Sequence, residues 1–340
     1  LRCLAVNSAT SGLHLALAAC GIGRGDLVLV PSYTFTSTAE AARYLEADPL
    51  FVDVVPGGFN LDPGALEKTL EGLPPGRAKA VIPVHFGGLP CDMKAVLDLA
   101  ETYGLRVIED AAHSFPSPLE GGSAGALGDA GVFSFFATKP LTTGDGGMVV
   151  TRNGDIARRA GVLRSHGIDR SVWSRYTDTG ASWYYEVVEA GYKYNIPDLL
   201  AALGRVQLTR AFRLLELRQD IARRYDGAFG GDPHFIIPPT GPGDARHLYP
   251  LRLRLDRLGL DRDEFIEKIQ EQGIGVSVHF IPLHTMPYYR NRYGLREEDF
   301  PETMKSFRSV VSLPIWPGME SAQTERVITV VKSLAIQYTL

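Results

Sequence analysis

Cysteine is scarce in this sequence: Cys3, Cys20 and Cys91 are the only three in 340 residues, and no two form a C-x-x-C pair. That excludes a disulfide framework, gives no zinc-ligand spacing, and fits a reducing, cytoplasmic setting. Long apolar runs are missing as well. Stretches such as "DLVLVPSY" break at Pro31 and Ser32, short of the roughly 18 residues of a spanning helix, so no membrane passage is expected. A basic excess is absent too. With a formal net charge of -4 and a pI near 6.1, nothing marks a partner such as nucleic acid or an anionic lipid surface. The chain opens on "LRCLAV" instead of Met, which reads as a buried strand without the features of a signal peptide, and further residues are expected to precede it.

What is present is a globular composition, 45% hydrophobic and 22% charged, suited to small-molecule chemistry. Up to about residue 150, β-rich runs ("RCLAV", "LVLVPS", "LFVDV", "AVIPVHF", "RVIED", "VFSFF", "GMVVT") alternate with helical stretches at Leu13 to Cys20, Asp62 to Leu70 and Asp92 to Tyr103. The pattern predicts an α/β fold with a mostly parallel sheet. Apolar residues near helical spacing, Leu200, Leu203, Val206, Leu214, Leu217 and Ile221, predict one long helix from Pro197 to about Ala228. The Gly/Pro-rich "GGDPHFIIPPTGPGD" then marks a boundary between a large unit, residues 1–228, and a smaller α/β unit, residues 229–340. In the smaller unit we read a strand "HLYPLRLRL", a helix Asp261 to Gln272 stopped by Gly273, a strand "GVSVHF", an irregular stretch and a last helix from about Ser321.

Open α/β sheets take ligands at the carboxyl ends of their strands, so the polar residues closing each apolar run are the first candidates. In "NSATSGLHLAL", Ser8, Thr10, Ser11 and Gly12 lead from strand to helix, where amides and hydroxyls suit a phosphate, although a plain N-cap is the simpler reading. Phe35 in "PSYTFTST" offers either a cover for a flat ring or core packing. Asp110 in "VIEDAAH", with His113 three residues on, ends an apolar strand; such a carboxylate can keep a ring nitrogen protonated or cap a helix. In "SFFATK", Ser134 lies in a strand and Lys139 just past it. An amine among apolar walls and cationic neighbours loses basicity and can condense with an aldehyde, whereas a lone strand-end lysine is ordinarily a solvated charge. Taken together, cradle, ring cover, carboxylate and amine match the phosphate, ring face, ring nitrogen and aldehyde of pyridoxal 5'-phosphate.

Other motifs carry less. "GIGRG" and "GGSAGALG" lack the G-x-G-x-x-G order between strand and helix, which disfavours a nicotinamide cofactor. "HFIPLH" sets His279 and His284 five positions apart without a third ligand, a poor metal site; structural use or substrate contact fits better. Arg164 and His166 in "LRSHG" follow a helical stretch and are either cleft residues or, for Arg164, a surface charge.

Seven stretches in order, "NSATSGLHLAL", "PSYTFTSTA", "IPVHFGG", "VIEDAAHS", "GDAGVFSFFATKPLTTGDGGMVVT", "RSHG" and "GYKYNIPDLLAALGRVQL", resemble the DegT/DnrJ/EryC1/StrS aminotransferases, which act mainly on nucleotide-linked keto sugars. "GYKYN" and "HFIPLHTMPYY" are most similar to the branch that forms UDP-4-amino-4-deoxy-arabinose. The resemblance implies the type I fold of pyridoxal-phosphate-dependent transferases, as in aspartate aminotransferase, and a leading segment ahead of "NSATSG". It implies Lys139 as the Schiff-base lysine and Asp110 as the partner of the pyridine nitrogen. Phe35 would then cover the ring with His113 close by, and Thr10, Ser11 and Ser134 would hold the phosphate. Asn195 would reach that phosphate from the second subunit of a homodimer. His166, Lys193, His279 and His284 become candidates for the substrate side. The implied reaction transfers an amino group from glutamate, or glutamine in some branches, to a sugar ketone in two halves, with Lys139 moving the proton. Alternatives within the fold are amination of a cyclitol or aromatic precursor, and sugar dehydration, whose enzymes carry histidine where Lys139 stands. A non-catalytic regulator of the same fold is disfavoured by the intact Lys139, Asp110 and Ser134.

Overall fold

In the computed structural model, which describes residues 1–169 and 184–340, the first apolar run forms β1 (Arg2–Val6) and turns through Ser8 into α1 (Ala9–Ala19). Ser8 is extended and its hydroxyl accepts the Ser11 amide, so the helix starts at Ala9 and not at Leu13, where its apolar run begins. The chain then alternates through β2 (Leu27–Pro31), α2 (Ser37–Arg43), β3 (Asp48–Val52), α3 (Pro63–Glu71), β4 (Ala78–Val81), α4 (Met93–Tyr103) and β5 (Arg106–Asp110). Asp62 and Asp92 cap their helices by accepting the Gly64 and Ala95 amides, and Gly104, at φ 68°, ends α4. A small hairpin, β6 (Pro118–Leu119) and β7 (Gly122–Ser123), precedes β8 (Ala130–Ser134), β9 (Gly147–Thr151) and α5 (Gly154–Arg164).

Seven of these strands form one sheet in the order β1-β9-β8-β5-β4-β2-β3. From β3 to β8 every neighbouring pair is parallel, while β9 is antiparallel to both β8 and β1. The parallel strands therefore end on one edge, where an open α/β sheet binds its ligands. One face is packed by α1, α2 and α5 over Val6, Leu13, Leu17, Val30, Val132 and Ile156. The other is covered by α3 and α4 over Leu29, Leu66, Val96 and Val107. At Gly12 a Cβ would stand 2.7 Å from Val132 Cγ1, so α1 lies directly on β8 only because that position has no side chain.

The single helix expected from Pro197 to Ala228 is instead two, α6 (Asp198–Leu208) and α7 (Ala211–Phe229). At the break the amides of Thr209 and Arg210 bond only three residues back, and the Thr209 hydroxyl donates to the Val206 carbonyl, competing with the helical pattern. Next come β10 (Phe235–Ile236), β11 (Tyr249–Leu253), α8 (Arg262–Glu271), α9 (Pro287–Tyr293), α10 (Pro301–Ser309), β12 (Val310–Leu313) and α11 (Ser321–Gln337). β10, β11 and β12 make a three-stranded antiparallel sheet. Tyr225 and Phe229 of α7, Phe265 and Ile269 of α8 and Val331 of α11 bury its core. Residues 275–280, read from sequence as a strand, make only the bridge between Ser277 and Ser312. The reason is a competing tie: the Tyr33 hydroxyl donates to the His279 carbonyl at 2.7 Å and draws the segment to the large sheet. Among the described residues no helix is long and apolar enough to cross a membrane.

Candidate active site

At the carboxyl edge of the parallel strands lies a cavity of about 370 Å³. The start of α1 forms one wall, with Ser8, Ala9 and Thr10 lining it. The first amides of a helix have no partners within the helix and attract anions. Ser134, at the end of β8, faces the same space, and its hydroxyl accepts the Phe136 amide at 3.4 Å. Ser11, expected beside Thr10, does not line the cavity. Its buried hydroxyl donates instead to Asn7 Oδ1 at 2.6 Å and to the Ser8 carbonyl, because it belongs to the cap of its own helix.

Gly147 closes the cradle from below. A Cβ there would meet the Phe133 carbonyl at 2.8 Å, Ser8 C at 2.8 Å and Ala9 N at 2.9 Å, all backbone atoms. Gly147→Ala is therefore expected to push α1 off β9, lowering stability by about 1–3 kcal/mol and weakening phosphate-ligand binding. Gly227→Ala, where a Cβ would meet nothing within 4 Å on an exposed helical turn, serves as the control. Equal thermal unfolding of the two variants would contradict this account.

Opposite the cradle, Asp110 ends β5 with 4% exposure. It accepts the Thr38 hydroxyl at 2.8 Å and the Ala112 amide at 3.1 Å. Burial raises its carboxyl above the usual range, and Thr38, Ala112 and the Lys139 ammonium only partly oppose this. Lys139, in the turn after β8, is half-buried on the cavity wall. Burial lowers its pKa to about 8, with Asp110 pulling the other way. Phe35 follows β2 and stays 55% exposed at the cavity, 5.7 Å between centroids from Phe280, so a flat face is left open to a ligand.

Three histidines complete the wall. The buried His113 accepts the Gly87 amide on Nδ1 at 3.2 Å, so its proton sits on Nε2. His247 packs against it, 4.5 Å between ring centroids, with its Nδ1 buried and unpartnered. His279 Nδ1 is hydrogen-bonded to Ser312 Oγ at 2.9 Å, and burial lowers its pKa to about 4. Burial likewise holds His113 and His247 well below 6.5, so all three are neutral at pH 7. Sequence reading passed over His247, Thr38 and Phe280. A histidine opening an apolar run, as in "RHLYPL", carries no local signal.

The remaining candidates lie elsewhere. His284 is 1% exposed, stacked on Phe300 at 4.3 Å, and does not line the cavity; the short helical turn at 283–285 points it into the core, which corrects its reading as a substrate contact. His166, exposed and at φ 65°, Lys193 and Asn195 occupy an extended segment pair away from this chain's own cavity. Along 192–195 the side chains alternate. Tyr192 and Tyr194 stack at 4.9 Å and pack on the buried His14 of α1, with the Tyr194 hydroxyl 3.3 Å from His14 Nδ1. Lys193 lies exposed between them and donates to Asn195 Oδ1.

The model of the DegT/DnrJ/EryC1/StrS aminotransferase family matches residues 1–332. The spore coat polysaccharide biosynthesis protein SpsC of Bacillus subtilis is 43% identical over 335 residues, 97% of this chain and 85% of its own length. Among solved structures, a candidate sugar aminotransferase of Streptococcus pneumoniae in its PLP-form superposes with a TM-score of 0.87 at 28% identity, covering 98% of this chain and 87% of that one. PseC of Helicobacter pylori, an aminotransferase involved in pseudoaminic acid biosynthesis, gives 0.89 at 25% identity over 99% and 88%. The chain thus has the fold of the pyridoxal-phosphate-dependent aminotransferases and belongs to the DegT/DnrJ/EryC1/StrS aminotransferase family.

Proposed function

We propose that this sugar aminotransferase acts on a keto group of a nucleotide-linked sugar, with glutamate as donor, in a homodimer whose subunits share their sites. The observation that carries the reading is the facing pair of Lys139, an amine whose pKa burial lowers to about 8, and the buried Asp110 across one cavity. The donor set fits pyridoxal phosphate. An anion cradle at Ala9 and Thr10, an exposed aromatic face at Phe35, a carboxylate and an amine converge on one space.

Thr10 and Ser134 hold the phosphate in this reading, and Phe35 covers the ring. When bound, the cofactor supplies an electron-withdrawing ring that stabilises negative charge on the carbon bearing the amino group. Asp110 keeps the ring nitrogen protonated; a proton delivered there offers the buried carboxylate the counter-charge its environment lacks. Lys139 Nζ takes the proton from the amino-bearing carbon of the donor and returns one to the former ketone carbon of the sugar. His113 presents Nε2–H to the cavity as a neutral donor, and His279 is the substrate-side contact that the cavity supports. The sequence resemblance makes a UDP-linked 4-keto pentose the first substrate to assay. Glutamate should bleach the visible absorbance of the holoenzyme, and the keto sugar should restore it. Absorbance that ignores glutamate and glutamine alike would refute the donor half.

The shared site rests on α6. No residue of this helix is buried, and Leu199, Leu203, Val206 and Leu208, with Phe212 beyond it, are exposed by 43–81%. Such a face calls for a partner surface, and a second copy of the chain would bring the adjoining Lys193 and Asn195 to the partner's cradle. Mixing a Lys139→Ala subunit with an Asn195→Ala subunit is expected to restore activity, since some mixed dimers then hold one intact site. No recovery despite demonstrated subunit exchange would overturn the arrangement.

A further inference from the structure

Outside the catalytic cavity, one largely buried cation makes no hydrogen bond or ion pair among the described residues: Arg252, on β11, which is 6% exposed. Burial lowers its pKa, and Glu302, the acidic group that opposes this, has its own Oε2 buried without a partner. Buried guanidinium groups are costly unless an acceptor meets them, and native proteins supply a counter-ion, a ligand or ordered water.

Arg252 lines a groove of about 670 Å³ between the small sheet and α10. Arg254 and Lys305, both exposed and neither in an ion pair among the described residues, stand on its walls. Arg308 is already neutralised by Glu297 at 2.7 Å, and Asp256 stands 3.8 Å from Arg257. Glu298 is the remaining carboxylate of the lining. With Glu302 counted beside it, three uncommitted cations, Arg252, Arg254 and Lys305, stand against two uncommitted carboxylates, Glu298 and Glu302, a balance that stays cationic. The location is also a junction. At Gly57, in the connection between β3 and α3, a Cβ would come within 3.3 Å of Arg252 Nη2, so the guanidinium reaches from the small sheet to that connection.

We propose that Arg252, with Arg254 and Lys305, forms an oxyanion site of phosphate size and charge, separate from the cavity around Lys139. The planar guanidinium can give two parallel N–H donors to one phosphoryl group, and the two exposed cations neutralise its remaining charge.

The test is calorimetric titration of the holoenzyme, with its phosphate cradle filled by the cofactor, at fixed ionic strength. Inorganic phosphate should bind saturably. Arg252→Met should weaken it at least about tenfold, and the Arg254→Gln, Lys305→Gln double variant about threefold, with the cofactor's visible absorbance unchanged. A parallel titration with glucose 1-phosphate separates the sources: tighter binding than phosphate marks an organic phosphate, and equal binding marks the free ion. Absence of saturable binding overturns the proposal. So does wild-type affinity in the double variant, which alters only exposed side chains and keeps the test decisive even where Arg252→Met fails to fold.

Discussion

The Lys139→Ala protein is expected to fold normally and to lose turnover by about 10³-fold or more, the scale of removing a positioned acid and base. Its side chain makes no hydrogen bond among the described residues and burial already disfavours its charge, so the truncation removes only the attraction between its ammonium and Asp110. The pH dependence follows from the same cause. With the pKa lowered from 10.5 to about 8, the fraction of neutral amine rises as pH climbs through about 8. The rate at which apoenzyme takes up pyridoxal phosphate should therefore increase to a plateau above that point. An inflection near the ordinary lysine value would show that the amine is solvated. Retention of wild-type turnover in Lys139→Ala would remove the basis of the mechanism.

Asp110→Asn ranks second, with a loss of about 10² to 10³-fold in kcat, comparable to deleting one preorganised electrostatic contact. The amide keeps the carboxylate's shape and its contact with Thr38, so the protein should still bind the cofactor. Two readouts separate this role from a structural one. The visible absorbance of the bound cofactor should change as its ring nitrogen loses the proton. The cofactor-uptake inflection should also move to lower pH, because Asp110 is the group that raises the Lys139 pKa. An unchanged inflection and spectrum alongside low activity would assign Asp110 to scaffolding only.

Much of this arrangement could be read along the chain because a strand end is a local event. Asp110, Ser134 and Lys139 each close or follow an apolar run, and the structure sets all three on one cavity. The helix at Ala9 was foreshadowed by Ser8 but started earlier than hydrophobicity alone allows, since its first turn is built by a cap and not by burial. Less could be seen where partners are distant in sequence. His247 meets His113 across 134 positions (247 − 113), and Thr38 meets Asp110 across 72. Ser11 failed for a different reason: two adjacent hydroxyls at a helix start point opposite ways, one outward to the cavity and one back into the cap. Likewise, apolar spacing on α6 pointed to a helix correctly but said nothing about which surface, this chain's or another's, would cover it.

β5 carries two adjacent carboxylates that the pleat sends to opposite faces. Asp110 opens on the cavity, while Glu109, fully buried, accepts the amides of Gly125, Leu127 and Gly128 at 2.7–2.8 Å and faces His85 at 2.9 Å. Burial alone would raise Glu109, but the His85 imidazole, itself pushed up to about 10, and then the Gly128 and Gly125 amides hold it below the usual carboxylate range, charged and tied to the loop ahead of β8. A one-residue insertion or deletion in this strand would therefore exchange the two acids: the loop would lose its anchor and the cavity would gain the wrong side chain. The number of residues within β5 is thus fixed by the two tasks on its opposite faces.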